Sequence, residues 1–319
     1  MPLPTGDTIG ILADNLARRR SVLPIPVASA IRWTRGLDLP RGGERVLCTG
    51  LLYQLIPYVE GLVAAQEKMA KSPLAGLTAF GRRVNRLVNV SAFMAHPKRA
   101  QQEFYDLIPR RVALLLRRAH VTFGSLFEDD LYSGALMYDL GAVEVLRAHA
   151  QRVHDTYRKY GVREIITIDP HTTHMLRTVY PTLVPGWDIQ VQNYLEVLAQ
   201  VGLSPTCPLT GAVAIHDSCV FARYEGVVAA PRELLAEAGL EVREPEHAGV
   251  ATWCCGSPVE SLFPSKAAQQ AARRVQELGQ AAPQVVTMCP LCHANLQKAA
   301  TDDMTFTDIS EYLWRAARA

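Results

Sequence analysis

Long hydrophobic runs are missing from this sequence. Its apolar stretches, such as 112–116 and 165–168, are far too short to cross a bilayer. An excess of one charge is missing too: 33 Lys and Arg against 31 Asp and Glu leave a net charge of +2. Both signs are spread along the length, so no basic stripe argues for nucleic acid. Arg18-Arg19-Arg20 has the look of a twin-arginine export signal, but Pro24, Pro26, Arg32 and Arg35 interrupt the apolar core that such a signal needs. The expectation is a cytoplasmic protein with no transmembrane segment and no nucleic-acid partner.

What is present is an ordinary globular composition, 49% apolar and 20% charged over 319 residues, enough for one large domain or two smaller ones. Residues 1–44, rich in Pro, Arg and Gly with short helices over 8–19 and 28–35, read as an extended N-terminal arm that docks on something. Beyond it, strand-like runs (45–48, 121–123, 164–168, 212–215, 285–288) alternate with amphipathic stretches (58–68, 98–118, 142–159, 189–200, 232–238, 265–278). A closing helix is expected over 308–317, with Asp308 near its start. The alternation predicts an α/β fold with parallel sheets.

An internal repeat organises the pattern. Tyr132-Ser133-Gly134, a helix, the strand 165–168 and the turn Asp169-Pro170-His171-Thr172 match a second run. That run is Cys254-Cys255-Gly256, a helix, the strand 285–288 and the turn Cys289-Pro290-Leu291-Cys292. Leu176 and Leu296 fall at equal distances past the two turns. Two similar halves are expected, 45–204 and 205–319, with an insertion in the first around 70–104.

Seven cysteines stand at 48, 207, 219, 254, 255, 289 and 292, five of them in the second half. Clustering of this kind in a long chain points to metal binding or redox chemistry rather than to disulfide staples. Cys289-Pro290-Leu291-Cys292 bends from a strand into a helix, where amides and the positive helix end favour thiolates. Adjacent Cys254 and Cys255 cannot aim the same way on a regular strand, and Gly256 permits the turn that brings both inward. Cys219 lies just past a strand end, where ligands gather in α/β folds. Soft thiolates select iron–sulfur clusters, zinc or Cu(I), and a fifth cysteine is more than a tetrahedral zinc site uses. His216 and His293 flank the ligand candidates as donors to a sulfur or as plain packing residues, and Asp217 serves to satisfy turn amides. Asp169 and Pro170 read as the cap and first position of a helix rather than as part of a metal site with His171 and His174. Cys48 and Cys207 read as free cysteines.

His216-Asp217-Ser218-Cys219, Cys254-Cys255-Gly256 and Cys289-Pro290-Leu291-Cys292-His293 together resemble the cysteine-rich CCG motif of the heterodisulfide reductase B subunit and its relatives. The likeness is strongest over 210–300 and runs weakly through the repeat from 45. It implies that Cys219, Cys254, Cys255, Cys289 and Cys292 hold one non-cubane [4Fe-4S] cluster at which a thiol, disulfide or persulfide sulfur is bound and reduced or oxidised. In two-site members both halves carry the motif. Here the first-half positions are Leu51, Tyr132, Ser133, Asp169 and Thr172, so one site is expected. Fused members carry a ferredoxin-like domain, of which these residues show no C-x-x-C-x-x-C run. The segment from Asn15-Leu16 through Trp33 to 37–40 resembles the connection that follows such a domain. The implied partners are a separate ferredoxin-type (C-type) subunit and a flavoprotein subunit, as in the separate B-type chains of sulfur-oxidising complexes. Alternatives are an electron-relay subunit of a lactate- or glycolate-oxidising complex, and a scaffold with structural zinc.

Overall fold

The computed structural model describes residues 5–23, 25–70, 97–257, 260 and 263–318. The insertion expected around 70–104 lies largely outside them. Among the described residues, seven strands form two wholly parallel sheets. The first has β1 (Arg45–Cys48), β2 (Glu164–Thr167) and β3 (Gln190–Asn193) in that order; the second has the order β5-β4-β6-β7, with β4 (Ala212–Ile215), β5 (Glu241–Arg243), β6 (Gln284–Thr287) and β7 (Thr305–Asp308). The β-branched residues Ile165, Ile166, Val213, Ile215, Val285 and Val286 are all buried in them, as strands covered on both faces require.

Parallel neighbours need helical crossovers. The principal helices are α1 (Thr5–Arg19), α2 (Leu52–Ala70), α3 (Arg99–Arg118), α4 (Val143–Lys159), α5 (Pro170–His174), α6 (Tyr194–Val201), α7 (Ala229–Glu237), α8 (Pro264–Ala281), α9 (Pro290–Ala299) and α10 (Ile309–Ala317). The repeat is visible in the order of strands: β1-β2-β3 corresponds to β4-β6-β7, with β5 added at the edge of the second sheet. It is visible in the turns as well. Asp169 and Cys289 both stand at helix N-caps with a proline following, while Gly134 and Gly256 share a left-handed backbone, φ +84° and +85°.

Three expectations are corrected. Residues 189–200, read as one helix, are β3 followed by α6, because the Asn193 side chain caps a new helix in a capping box with Glu196. Residues 121–123 form no strand; instead Gly124 bridges to β1, its N–H on Arg45 O and its carbonyl accepting from Leu47 N, both 2.9 Å. The strand read over 285–288 starts and ends one residue earlier.

The halves share a core in which Leu47, Tyr53, Ile166 and Tyr194 pack with Ile215, Val286 and Leu313, and Tyr53 donates its hydroxyl hydrogen bond to Asp308 Oδ2 at 2.9 Å. The N-terminal segment folds onto the first half: Leu16, Val22 and Leu23 pack with Leu51, Leu52, Leu55 and Tyr132. Among the described residues no helix is long and apolar enough to cross a membrane.

Candidate metal centre

Three chain segments deliver the five clustered cysteines to the carboxyl ends of β4 and β6, where open α/β sheets place their ligands. After β4, His216-Asp217-Ser218 leads to Cys219, which opens a helical turn running into the π-helical turn Phe221–Glu225. After β6, Cys289 takes the N-cap of α9 in extended conformation, Pro290 fills the first helical position, and Cys292 follows within the first turn. Cys254-Cys255-Gly256 comes from the loop that follows the short 3₁₀ turn Gly249–Ala251.

Polar tethers hold these segments together. Asp217, buried, accepts from the Gly249 N–H at 2.7 Å and is clamped by both terminal nitrogens of Arg232 at 2.9 and 2.8 Å. The Thr252 hydroxyl donates to the Asp217 carbonyl at 3.1 Å, tying the Cys219 turn to the loop of Cys254. On the other side Asn295 of α9 donates its amide to the Cys255 carbonyl at 2.5 Å. Gly256, whose φ of +85° suits no other residue well, turns its N–H back onto the Cys254 sulfur at 3.3 Å.

The result is an unbroken row of side-chain contacts: Cys219 to Cys254, Cys254 to Cys255, Cys255 to Cys292, and Cys292 to Cys289. Cys255, Cys289 and Cys292 are buried, whereas Cys219 and Cys254 keep partial exposure. The row is therefore closed at one end and open at the other. The tendency to ionise is uneven along it, since a thiol that accepts from two neighbours gives up its own proton most readily. Cys254, which accepts from Cys219 and Cys255, is held far below the usual thiol range. Cys289 also lies well below it: burial opposes ionisation, but the hydrogen bonds from Cys292 and His171 outweigh that. The donating members Cys219, Cys255 and Cys292 are correspondingly raised. Cys254 and Cys289 are thus the members of the row most disposed to ionise, and a metal would ionise the others as it binds.

By sequence alone His171 is a bystander to a helix cap. The cap is real: Asp169 Oδ1 accepts from the Thr172 N–H at 2.9 Å with Pro170 at the first helical position. Yet His171, 7% exposed, reaches across to hydrogen-bond the sulfur of Cys289. Burial lowers its pKa, but the Cys289 thiolate and the nearby carboxylates of Asp139 and Asp169 overcome this and raise it to about 9. No spacing in the sequence signals this contact, which arises because the turns after β2 and β6 face each other. His174 bonds instead to Glu225 at 2.7 Å.

His216 is buried, and one of its ring nitrogens lies within 4.8 Å of the sulfurs of Cys255 and Cys292. Its Nδ1 accepts from Arg274 Nε at 3.1 Å, and burial together with the Arg274 charge presses its pKa to about 3. Arg274, wholly buried on α8, escapes sequence reading as one half of an ordinary Arg-Arg pair. The available signal is its place on the apolar stripe of Ala267, Ala271, Val275 and Leu278. His293 pairs its Nδ1 with the Thr287 hydroxyl at 3.1 Å and stacks on Phe104 with ring centroids 4.9 Å apart. Cys48 sits in the first half between the Tyr157 hydroxyl (3.1 Å) and Asp130 (3.3 Å), and Cys207 is exposed. A groove lined by Asp38, Arg45, Arg117, His120 and Glu164 opens at the opposite ends of β1 and β2, and no cysteine lines it.

Fold and site together define an α/β chain with a cysteine-rich centre. Residues 213–297, which contain all five clustered cysteines, match the family model described as CCG: Cysteine-rich domain. The second half thus carries a CCG domain. Among curated proteins the chain is 30% identical over 231 residues to "EtfAB:quinone oxidoreductase" of Syntrophomonas wolfei, covering 66% of this chain and 32% of that protein. It is 31% identical over 217 residues to "Probable membrane-anchored ferredoxin" of Chromohalobacter salexigens (63% and 32%). A more distant relative, 24% identical over 217 residues, is a subunit of the dihydromethanophenazine:CoB--CoM heterodisulfide reductase of Methanosarcina barkeri (63% and 53%). The chain spans about a third of the length of the first two relatives and about half of the third.

Proposed function

We propose that the chain is an iron–sulfur oxidoreductase subunit of the heterodisulfide-reductase type, with Cys219, Cys254, Cys255, Cys289 and Cys292 as the ligands of one non-cubane [4Fe-4S] cluster. The observation that carries this reading is the continuous row of five sulfurs. Its donors are soft and more numerous than a tetrahedral zinc ion takes, and two of them, Cys254 and Cys289, are shifted toward ionisation. The matching of 213–297 to the CCG domain supports it, as do relatives whose names include a heterodisulfide reductase and a quinone oxidoreductase.

When bound, the cluster would supply Lewis acidity and one-electron steps to a sulfur substrate. This chain's residues do the rest. The partly exposed Cys219 and Cys254 mark the side from which a thiol, disulfide or persulfide sulfur arrives. The buried Cys255, Cys289 and Cys292 keep water from the other side. Reduction of a disulfide to two thiols takes two electrons and two protons, and the electrons would come from a ferredoxin-type subunit or a flavoprotein partner. His171, on the sulfur of Cys289, steadies negative charge there.

Iron and acid-labile sulfide assays on protein purified without oxygen test the cluster. Four irons per chain and an EPR signal altered by added thiol or disulfide are expected. Colourless protein with one zinc and no sulfide would replace this reading by a structural scaffold. A second reading is favoured by the higher identity to the relative named EtfAB:quinone oxidoreductase than to the heterodisulfide reductase chain. In it the cluster relays electrons without touching substrate, and the EPR signal ignores added sulfur compounds yet responds to a reduced flavoprotein.

A further inference from the structure

We propose that His216 serves this centre as a hydrogen-bond donor to sulfur and not as a ligand, because Arg274 fixes its tautomer. The inference rests on the cysteines being cluster ligands. On distance alone His216, Cys255 and Cys292 look like a three-ligand metal site, each with an atom within 4.8 Å of the others. The neighbour behind the imidazole decides otherwise.

Arg274 points its Nε–H at His216 Nδ1, 3.1 Å away. A guanidinium has donors only and does not lose its proton in proteins, so Nδ1 must accept with its lone pair. A neutral imidazole has one N–H, which then sits on Nε2. That nitrogen is buried, and among the described residues it has no hydrogen-bond partner. For Nε2 to bind a metal, its proton would have to move to Nδ1, where it would meet the Arg274 N–H donor to donor. The arrangement therefore leaves one unpartnered N–H on a ring that has a nitrogen within 4.8 Å of the sulfurs of Cys255 and Cys292.

Arg274 cannot swing away to relieve that conflict. It also donates to the His247 carbonyl at 2.9 Å, to Glu277 Oε2 at 2.8 Å and to the Thr252 hydroxyl at 3.3 Å. Glu277 balances its charge and is itself fixed by the His247 N–H at 2.6 Å. Thr252 lies two residues before Cys254, so one buried side chain sets both the loop of the paired cysteines and the tautomer of the histidine beside them. Arg274 is a positioning residue in this scheme. An N–H to a thiolate or sulfide stabilises negative charge, and so favours the reduced cluster.

Protein labelled with ¹⁵N-histidine and purified without oxygen tests this by pulsed EPR and redox titration. The expected wild-type spectrum shows two weakly coupled histidine nitrogens with exchangeable protons, one from His171 at the Cys289 sulfur and one from His216. In His216→Leu the second set vanishes while that of His171 stays, and the midpoint potential moves negative. In His216→Gln, whose amide keeps an N–H near the place of Nε2, the proton coupling and much of the potential return. Iron content stays as in the wild type in both. A nitrogen coupled strongly enough to be bound directly, unchanged spectra in His216→Leu, or loss of iron from either variant with the fold retained by circular dichroism would overturn the proposal. Imidazole ¹⁵N NMR of the metal-free protein gives a readout that does not need the cluster. The Nε2–H tautomer is expected, disturbed in Arg274→Met; an Nδ1–H tautomer in the wild type would overturn the proposal. Absence of iron and sulfide from the wild type would sink the cluster reading instead, leaving the tautomer to the NMR result.

Discussion

Asp169 and Cys289 occupy the same place in two copies of one motif. Each ends a central parallel strand, adopts an extended N-cap conformation and precedes a proline at the first helical position. Only Asp169 also caps with its side chain, accepting from the Thr172 N–H three residues on, whereas Cys289 makes no such side-chain cap. The helix starts at the same place in both halves, with a proline at its first position, whether or not the N-cap side chain bonds an amide. The fold of the turn is therefore indifferent to whether the half binds metal, and chemistry rests on the side chains alone. That lets one half lose its sulfurs while keeping its architecture, and lets it be put to another use: the His171 contact with Cys289 comes from the half without clustered cysteines.

The largest effect that would break this comparison is at Cys255, the middle of the sulfur row. Cys255→Ser is expected to strip or convert the cluster, with iron content and EPR as readouts. A native signal in that variant would mean that the second half does not use its row of sulfurs. Ser133, the corresponding first-half residue, is already a serine, and its replacement by Ala should leave the iron content alone.

The two glycines sharpen the comparison further. Gly134 and Gly256 have nearly the same positive φ, so an added Cβ brings the same backbone strain to each, about 1–2 kcal/mol. Their neighbours differ. At Gly134 the Cβ would meet the Cδ1 of Leu146 at 2.5 Å, the end of a flexible side chain. At Gly256 it would meet the backbone of α8, Ala267 O at 2.7 Å and Cα at 3.1 Å, which must move as a unit. Gly134→Ala should therefore cost about the strain alone, whereas Gly256→Ala should cost about 3 kcal/mol or more and lower iron occupancy. Thermal melts with iron assays distinguish the two, and equal losses would mean that α8 adjusts as easily as a leucine.

Asp169 offers a pH test. Burial raises its carboxyl to about 6 from an ordinary 3.8, against the pull of its Thr172 hydrogen bonds. A folded-state pKa above the unfolded value means that the native protein holds the proton longer. Its contribution is fully present below about pH 4 and is lost as pH rises through about 6, on the order of 2–3 kcal/mol. Asp169→Asn keeps an acceptor for the Thr172 N–H and removes the ionisation. The drop in stability across that window should shrink in the variant. Asp106, also raised to about 6 by burial, slopes the same way, so the difference between the two proteins is what counts.

Much of this was legible in the sequence. Strands 45–48 and 212–215 sit where β-branched and apolar residues place them, and the paired turns at Asp169-Pro170 and Cys289-Pro290 announced the repeat. β3 was hidden because Gln190 to Asn193 is short and only half-buried, and its pattern merges with the helix that follows. The spacing of Asn193 and Glu196 is a capping-box signature that marks the boundary. β5, three residues at a sheet edge, has no period to read. The five cysteines stood out as a set, but His171 and Arg274 did not. Their roles depend on which turns face each other and on what a buried helix stripe touches, and neither leaves a local pattern.

The smallest effect is expected at Cys48, the cysteine of the first half. It ends β1, fully enclosed, accepting from the Tyr157 hydroxyl at 3.1 Å and donating to Asp130 Oδ1 at 3.3 Å. Burial and the Asp130 carboxylate push its pKa well up, which disfavours the thiolate that a metal would need. Serine offers the same donor and acceptor in a slightly smaller volume, so Cys48→Ser should cost under about 1 kcal/mol in a urea titration. Iron content and EPR should match the wild type. A changed signal would place Cys48 in communication with the centre, and the division of labour between the halves would then be less complete than their turns suggest.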